Sequence, residues 1–154
     1  MGIKRELVPY ESWHLEALME YLRPLEESVY KKINKDYREW HKMIMADTPE
    51  PVTILVDGKP ILVAGVSMLW AGVGESWIIG SHYFRPNYIF ITKQCIKYMN
   101  YFIKKYKLRR LQAITTVGNP ELVKFAEFLN FQYEGELRSY GMDGSNQYMF
   151  SRVI

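Results

Sequence analysis

The stretch of sequence that decides the fold is residues 52–81, which read VTILVDGKPILVAGVSMLWAGVGESWIIGS. Most of these residues are β-branched or apolar, as strand residues are. Two turn signals divide the stretch: Asp57-Gly58 is typical of a tight hairpin, and Gly72-Val73-Gly74 marks a second reversal. The stretch therefore predicts a three-stranded antiparallel meander, with strands at residues 52–56, 61–69 and 76–81.

Two helices are predicted on the N-terminal side of the meander, after a short strand at residues 3–7. Apolar residues recur at spacings of three and four from Glu11 to Leu22, and again from Leu25 to Ile44. Pro24 separates the two runs, because a proline inside a helix clashes with the preceding turn.

On the C-terminal side the pattern predicts a long helix, a strand, a short helix and two closing strands. Asn119-Pro120 is a good helix start, with Asn as the N-cap and Pro at the first helical position. The full order is β-α-α-β-β-β-α-β-α-β-β, which indicates a mixed sheet with helices packed on it. The five elements on the C-terminal side are predicted over residues 87–107, 111–116, 121–129, 133–140 and 147–153.

Composition restricts the class of protein. The chain has 154 residues, 48% hydrophobic and 24% charged, with no linker or repeat, so one globular domain over residues 1–154 is expected. One cysteine, Cys95, cannot form an intramolecular disulfide, and three scattered histidines give no metal site. The N-terminus lacks a secretory pattern, and no apolar run approaches the ~20 residues of a membrane span. We therefore expect a soluble, intracellular protein.

Charge is distributed unevenly along the chain. No Asp or Glu occurs from Ser76 to Pro120, whereas eight of the 20 basic residues lie there. The other 12 basic residues are outnumbered by all 17 acidic residues, although the formal net charge is only +3. Such a basic segment favours either a phosphate-rich or acidic partner or a solvated helix face.

The long helix favours the second interpretation. Its lysines recur at spacings of three and four opposite an apolar side that includes Cys95, as in an amphipathic helix with one wet face. We expect Cys95 to pack in the core instead of acting as a nucleophile. Nucleic-acid binding ranks last, because no motif interleaves aromatic residues with the lysines.

The amino-acid sequence of the C-terminal half resembles that of the GCN5-related N-acetyltransferase (GNAT) superfamily. Residues 119–131, NPELVKFAEFLNF, followed by Glu134-Gly135, look like the family's Asn, short helix and "Glu-Gly" strand. Residues 147–153 are similar to its last strand, and the meander fits its central strands. The resemblance implies an α/β (α+β) fold with a mixed, mostly antiparallel sheet and helices on both faces.

A narrower similarity is to small phage proteins with a GNAT-like fold, once described as internal virion protein A. It rests on Val56-Asp57-Gly58-Lys59-Pro60 and on Trp77-Ile78-Ile79-Gly80-Ser81. This similarity implies a phage-encoded protein of the host cytoplasm or the virion.

Two positions depart from the GNAT pattern. No glycine follows Gly80 in the loop before the long helix, where the family's glycine-rich turn holds the pyrophosphate of acetyl-coenzyme A. Ala126 stands where many members carry a tyrosine that protonates the leaving thiolate.

The resemblance implies acetyl-coenzyme A as co-substrate, no metal, and an amine as acceptor. A polyanionic coenzyme is expected to tolerate no carboxylates along the stretch from Ser76 to Pro120, so their absence there fits a coenzyme A cleft. The cofactor edge is predicted at Ile78, Ile79, Gly80, Ser81, Arg85, Asn87, Tyr88 and Asn119. Acid–base candidates are Glu75, His82 and Tyr140, with surface roles as the alternative for Glu75 and His82. Substrate contacts are predicted at Tyr30, Tyr37 and Trp40.

Two functions follow from these features. The first is an N-acetyltransferase that modifies an amine of a protein or small molecule, as a monomer or homodimer. The second is a non-catalytic GNAT-fold phage protein that acts in virion assembly, DNA ejection or binding of a host factor. The two departures favour the second function, and acetyl-coenzyme A binding would separate the two.

Overall fold

The computed structural model describes residues 2–24, 26–27 and 37–154, with the backbone alone at residues 37 and 38. In these residues the predicted order of seven strands and four helices is confirmed. The strands are β1 (Arg5–Pro9), β2 (Val52–Val56), β3 (Lys59–Trp70), β4 (Val73–Gly80), β5 (Arg110–Thr116), β6 (Gln132–Leu137) and β7 (Gln147–Val153). The helices are α1 (Ser12–Met19), α2 (Tyr37–Ala46), α3 (Tyr88–Lys105) and α4 (Pro120–Phe128).

All seven strands form one sheet in the order β1-β2-β3-β4-β5-β7-β6. Every neighbouring pair is antiparallel except β4 and β5, which are parallel. The last strand in sequence, β7, therefore lies between β5 and β6. This arrangement is the mixed, mostly antiparallel sheet that the sequence predicts.

The hairpin between β2 and β3 forms where the sequence predicts it. Asp57 and Gly58 have φ angles of 48° and 79°. Positive φ at both central residues matches the twist of the flanking strands, which is why Asp-Gly is favoured there.

Helices cover both faces of the sheet. Consecutive strand residues point to opposite faces. Leu62 of β3 lies in the core under α3, whereas Val63 packs with Leu15 and Leu18 of α1. Cys95 of α3 is buried, as expected, and burial raises the pKa of its thiol to about 12. This thiol is therefore not ionised at neutral pH.

Some boundaries differ from the predicted ones. β1 begins at Arg5 and includes Pro9, which an edge strand tolerates because its outer side needs no donor. β6 ends at Leu137, before Ser139 takes a φ of 52° that breaks the strand. Part of the second predicted helix, with Leu25, lies outside the described residues. No helix among the described residues is long and apolar enough to cross a membrane.

Candidate functional site

The two halves of the sheet separate in its middle. β4 and β5 are paired over four residues only, Val73–Ser76 with Arg110–Ala113. Beyond that point β4 remains paired with β3 as far as Gly80, and β5 remains paired with β7 as far as Thr116. The later residues of β4 and β5 therefore border a gap that no described strand fills.

A cavity of about 260 Å³ occupies this gap and is lined by residues from both faces of the sheet. Drug-sized ligands fill roughly 300–1,000 Å³, so the cavity suits a narrow chain with a small acyl group better than a nucleotide. Besides residues of β4 and β5, its lining includes Arg23, Glu26, Trp40 and Ile44 on the α1 side, and Leu122, Phe125, Ala126 and Leu129 on the α4 side.

The open edge of β4 presents backbone groups to the gap. On the β3 side, the N–H of Ser81 donates to the carbonyl oxygen of Ile61, with an N–O distance of 3.0 Å. In antiparallel strands the residues that bond a given neighbour alternate along the chain. The backbone N–H and C=O of Ile78 and Gly80 therefore face away from β3 and into the gap.

The segment after α1 covers the end of this edge. The Arg23 N–H donates to the Gly80 carbonyl, and the Gly80 N–H donates to Oε1 of Glu26; the donor–acceptor distance is 3.2 Å in both hydrogen bonds. Arg23 and Glu26 form an ion pair whose side chains are only 17% and 11% exposed. Gly80 is therefore occupied, and Ile78 is the residue of this edge left to pair with a ligand.

A chain of hydrogen bonds fixes Glu75 where the strands separate. Glu75 lines the cavity and accepts a hydrogen bond of 2.8 Å from Nε2 of Gln112. The amide oxygen of Gln112 accepts from Nε of Arg110 over 3.0 Å. Because arginine only donates, this second bond determines which end of the amide faces Glu75.

Arg110 is held in turn by β6 and β7. Its guanidinium makes two hydrogen bonds of 2.7 Å to Glu134, and the Ser151 hydroxyl donates to the same carboxylate. These contacts, chiefly the one from Arg110, lower the pKa of Glu134 to about 2. Glu134 therefore stays ionised at neutral pH, and the orientation of Gln112 is retained.

Most backbone N–H groups of the loop between β4 and α3 already donate to acceptors within the chain. Two of its N–H groups donate to the backbone and hydroxyl oxygens of Ser81, and residues 85–87 form a 3₁₀ turn. A backbone N–H that already has a partner in the chain is not available to an anion. The amides that donate within the chain are those of His82, Tyr83, Phe84, Asn87 and Tyr88.

Carboxylates reach this region from elsewhere in the chain. Arg85 forms an ion pair with Glu121 of α4, and both side chains are exposed. Glu26 and Glu75 line the cavity. Carboxylates from outside the acid-free stretch therefore lie at the cavity and beside the loop.

No protein-family model and no curated protein matches this sequence. Solved structures match nearly the whole chain at low identity. Ard1 from Thermoplasma volcanium has a TM-score of 0.78 and 13% identity over 97% of both chains. A GNAT-family acetyltransferase from Bacillus anthracis has a TM-score of 0.72 and 18% identity, over 99% of this chain and 98% of its own.

A third similar structure contains a ligand. The ribosomal L7/L12 alpha-N-protein acetyltransferase RimL, in complex with coenzyme A, has a TM-score of 0.70 and 14% identity, over 97% of this chain and 94% of its own. The chain has the GNAT fold. At these identities the likeness establishes the fold alone.

Within the GNAT fold, the predicted cofactor residues separate into two groups. Ile78 and Ile79 line the cavity. The others are already engaged in holding the structure or lie at its surface. Besides Gly80 and Arg85, these are Ser81, Asn87, Tyr88 and Asn119.

Three of these residues hold the loop and α4 through hydrogen bonds. The Ser81 hydroxyl donates to the Ile61 carbonyl over 2.9 Å. Asn87 is buried, and its Oδ1 accepts from Nε of Arg5 over 2.8 Å. Asn119 caps α4, as predicted, by accepting from the Leu122 N–H over 3.3 Å.

Tyr88 lies at the start of α3 among aromatic side chains. Its ring centroid is 5.9 Å from those of Phe84 and Phe125, and 6.2 Å from that of Phe128. Tyr88 is half-buried, so it contributes mainly to packing between α3 and α4.

The acid–base candidates do not lie together. Glu75 lines the cavity, but His82 and Tyr140 are not among its lining residues. His82 is exposed on the loop beside Tyr21 and Tyr83, and Tyr140 is 58% exposed after β6. Glu75 is therefore the candidate base that the fold brings to the gap.

The substrate candidates are described only in part. Trp40 lines the cavity from α2. Tyr37 is described by its backbone alone, and Tyr30 lies outside the described residues.

Sequence reasoning missed residues that only the register brings together. Gln112 lies opposite Glu75 in the parallel pairing, and Glu26 reaches Gly80 across 54 residues. Thr115 also lines the cavity, and its buried hydroxyl has no hydrogen-bond partner in the described part of the chain. The sequence feature that could have indicated the Glu26 contact is the spacing of Arg23 and Glu26 on either side of Pro24. No group of three metal-ligating side chains occurs in the described part of the chain.

Proposed function

We propose that this protein is an N-acetyltransferase that moves an acetyl group from a coenzyme A thioester to an amine. The gap between β4 and β5 carries the proposal, because it joins an open strand edge at Ile78 to a fixed carboxylate at Glu75. RimL, which shares the fold, is an N-acetyltransferase solved with coenzyme A. The acceptor is an amine of a protein or of a small molecule.

The gap can hold the pantetheine arm of the donor. The N–H and C=O of Ile78 can pair with one amide of the arm as a neighbouring strand would. Phe125 and Leu129 supply apolar contact on the α4 side. The donor supplies an activated acyl group, whose C–S bond breaks as the C–N bond to the amine forms.

Glu75 would act as the general base. An amine attacks only in its neutral form, so a carboxylate must accept a proton from it. The Gln112 amide orients Glu75 and leaves its other carboxylate oxygen for the amine.

Thr115 would support the departing sulfur. Ala126 offers no donor where GNAT proteins with a tyrosine have one. Thr115 and Ala126 line the same cavity, and the Thr115 hydroxyl has no other partner among the described residues. A hydroxyl there can donate to the thiolate, which carries the charge until solvent protonates it.

Glu75→Gln tests the proposed reaction. The variant keeps the size of the side chain but loses the base, so kcat/KM should fall by about 10²–10⁴-fold. Calorimetry with acetyl-coenzyme A should give an unchanged Kd, because Glu75 acts on the acceptor. Glu127→Gln is the control, since Glu127 is exposed on α4 and does not line the cavity.

Two results would contradict the proposed function. The first is no binding of acetyl-coenzyme A at about 1 mM, an affinity weaker than about −4 kcal/mol. The second is a Glu75→Gln variant with full activity. The first result would leave the non-catalytic role in virion assembly, DNA ejection or host-factor binding.

We propose a phage origin from two short sequence similarities. It rests on Val56-Asp57-Gly58-Lys59-Pro60 and on Trp77-Ile78-Ile79-Gly80-Ser81. The host cytoplasm or the virion would then be the place of action.

A further inference from the structure

We propose that the protein recognises its donor by the thioester and pantetheine arm alone, so that a simple pantetheine thioester binds as well as acetyl-coenzyme A. This inference rests on the proposed function and names the chemical class of the donor. Three separate observations support it, at the loop, at the charged side chains and at the strand edge.

The loop after β4 has no free cradle for a diphosphate. A diphosphate site at this place needs several N–H groups that point outward together. Here five amides of residues 82–88 donate within the chain and Pro86 has no N–H, which leaves only the Arg85 N–H of this loop without an acceptor among the described residues. Two of the five donate to Ser81, whose hydroxyl is fixed by Ile61. A diphosphate would have to break this turn to gain more than one hydrogen bond from the loop amides.

Two arginines near the loop are already paired with carboxylates. Arg85 is paired with Glu121, and Arg23 is paired with Glu26. The Arg23 guanidinium also lies 4.7 Å from the Phe84 ring centroid, so it is held in place. A diphosphate would compete with a carboxylate at each arginine and would meet its negative charge. The electrostatic gain that usually accompanies phosphate binding is therefore reduced at these two arginines.

The strand edge also accommodates only part of the coenzyme. Arg23 and Glu26 occupy both backbone groups of Gly80, which leaves the edge at Ile78. The cavity of about 260 Å³ matches a thioester and its arm. Recognition would therefore concentrate on the end of the donor that reacts.

Calorimetry with acetyl-coenzyme A and with S-acetylpantetheine tests the inference. We expect the two Kd values to agree within about threefold, well under 1 kcal/mol. Adenosine 3′,5′-bisphosphate should not displace either donor. A bound diphosphate gains charge-assisted hydrogen bonds, so an affinity for acetyl-coenzyme A about 30-fold higher or more would overturn the inference.

Two variants separate this inference from the proposed function. Arg85→Ala should leave both affinities unchanged, whereas Glu121→Gln, which frees Arg85, should strengthen acetyl-coenzyme A alone. Weaker acetyl-coenzyme A binding by Arg85→Ala would show that Arg85 holds the diphosphate and would overturn the inference. If neither donor binds, the proposed function itself fails. If only acetyl-coenzyme A binds, that function stands and this inference fails.

Discussion

At the scale of single residues, Thr115 is informative because its hydroxyl is buried and finds no partner among residues 2–24, 26–27 and 37–154. A buried hydroxyl that lacks a hydrogen bond costs about 1–3 kcal/mol, so such groups are uncommon in folded proteins. Thr53 is a second case, but it lies in β2 and does not line the cavity. Both hydroxyls therefore carry this folding cost, but only the Thr115 hydroxyl lies where a ligand can supply the missing hydrogen bond.

Thr115→Val should lower turnover without lowering stability. Valine keeps the shape of the side chain and removes an unsatisfied donor, so the free energy of unfolding should be unchanged or higher. Loss of one hydrogen bond to a charged sulfur should reduce kcat by about 10–100-fold. Denaturant unfolding and steady-state rates would measure the two effects.

Thr53→Val is the matched control. It should affect stability in the same direction and leave kcat unchanged, because Thr53 is outside the cavity. Equal loss of activity in both variants would refute a role for the Thr115 hydroxyl.

At the scale of elements, the sequence predicts what local chemistry dictates. Asp57-Gly58 specifies a hairpin, and Asn119-Pro120 starts α4, because turn and cap preferences act within a few residues. The contacts of Glu75 could not be predicted in this way. They depend on the register of β4 against β5, two strands that are separated by the whole of α3.

α2 makes the fold sensitive to pH through His41. This side chain is 3% exposed, and burial lowers its pKa from 6.5 to about 4. Between these two values the unfolded chain binds more protons than the folded one, so stability falls as the pH falls. Burial lowers the pKa of His14 on α1 as well, and this adds to the effect.

We expect the free energy of unfolding to drop between pH 7 and pH 5, with about 2 kcal/mol from His41 at most. This window lies above the lowered pKa of Glu134, so loss of its ion pair does not contribute. Denaturant titration at the two pH values measures the drop. His41→Gln should show a smaller drop than the parent, and an equal drop would exclude His41 as the source.

At the scale of the whole molecule, the sheet consists of two antiparallel parts joined by one short parallel contact. β1 to β4 form the first part, and β5, β7 and β6 form the second. The basic segment that stands out in the sequence spans this join, but carboxylates from outside the segment fold against it. Charge counted along a sequence therefore gave only part of the electrostatics of the site.

The unpaired edge of β4 also provides a built-in probe of occupancy. The Ile78 amide faces the gap, whereas the neighbouring Gly80 amide is bonded to Glu26. In the free protein, hydrogen–deuterium exchange should therefore be fast at Ile78 and slow at Gly80. A donor that pairs with this edge should slow exchange at Ile78 without any turnover, and unchanged exchange in its presence would place the donor elsewhere. An inactive variant could report on binding as well as the parent does.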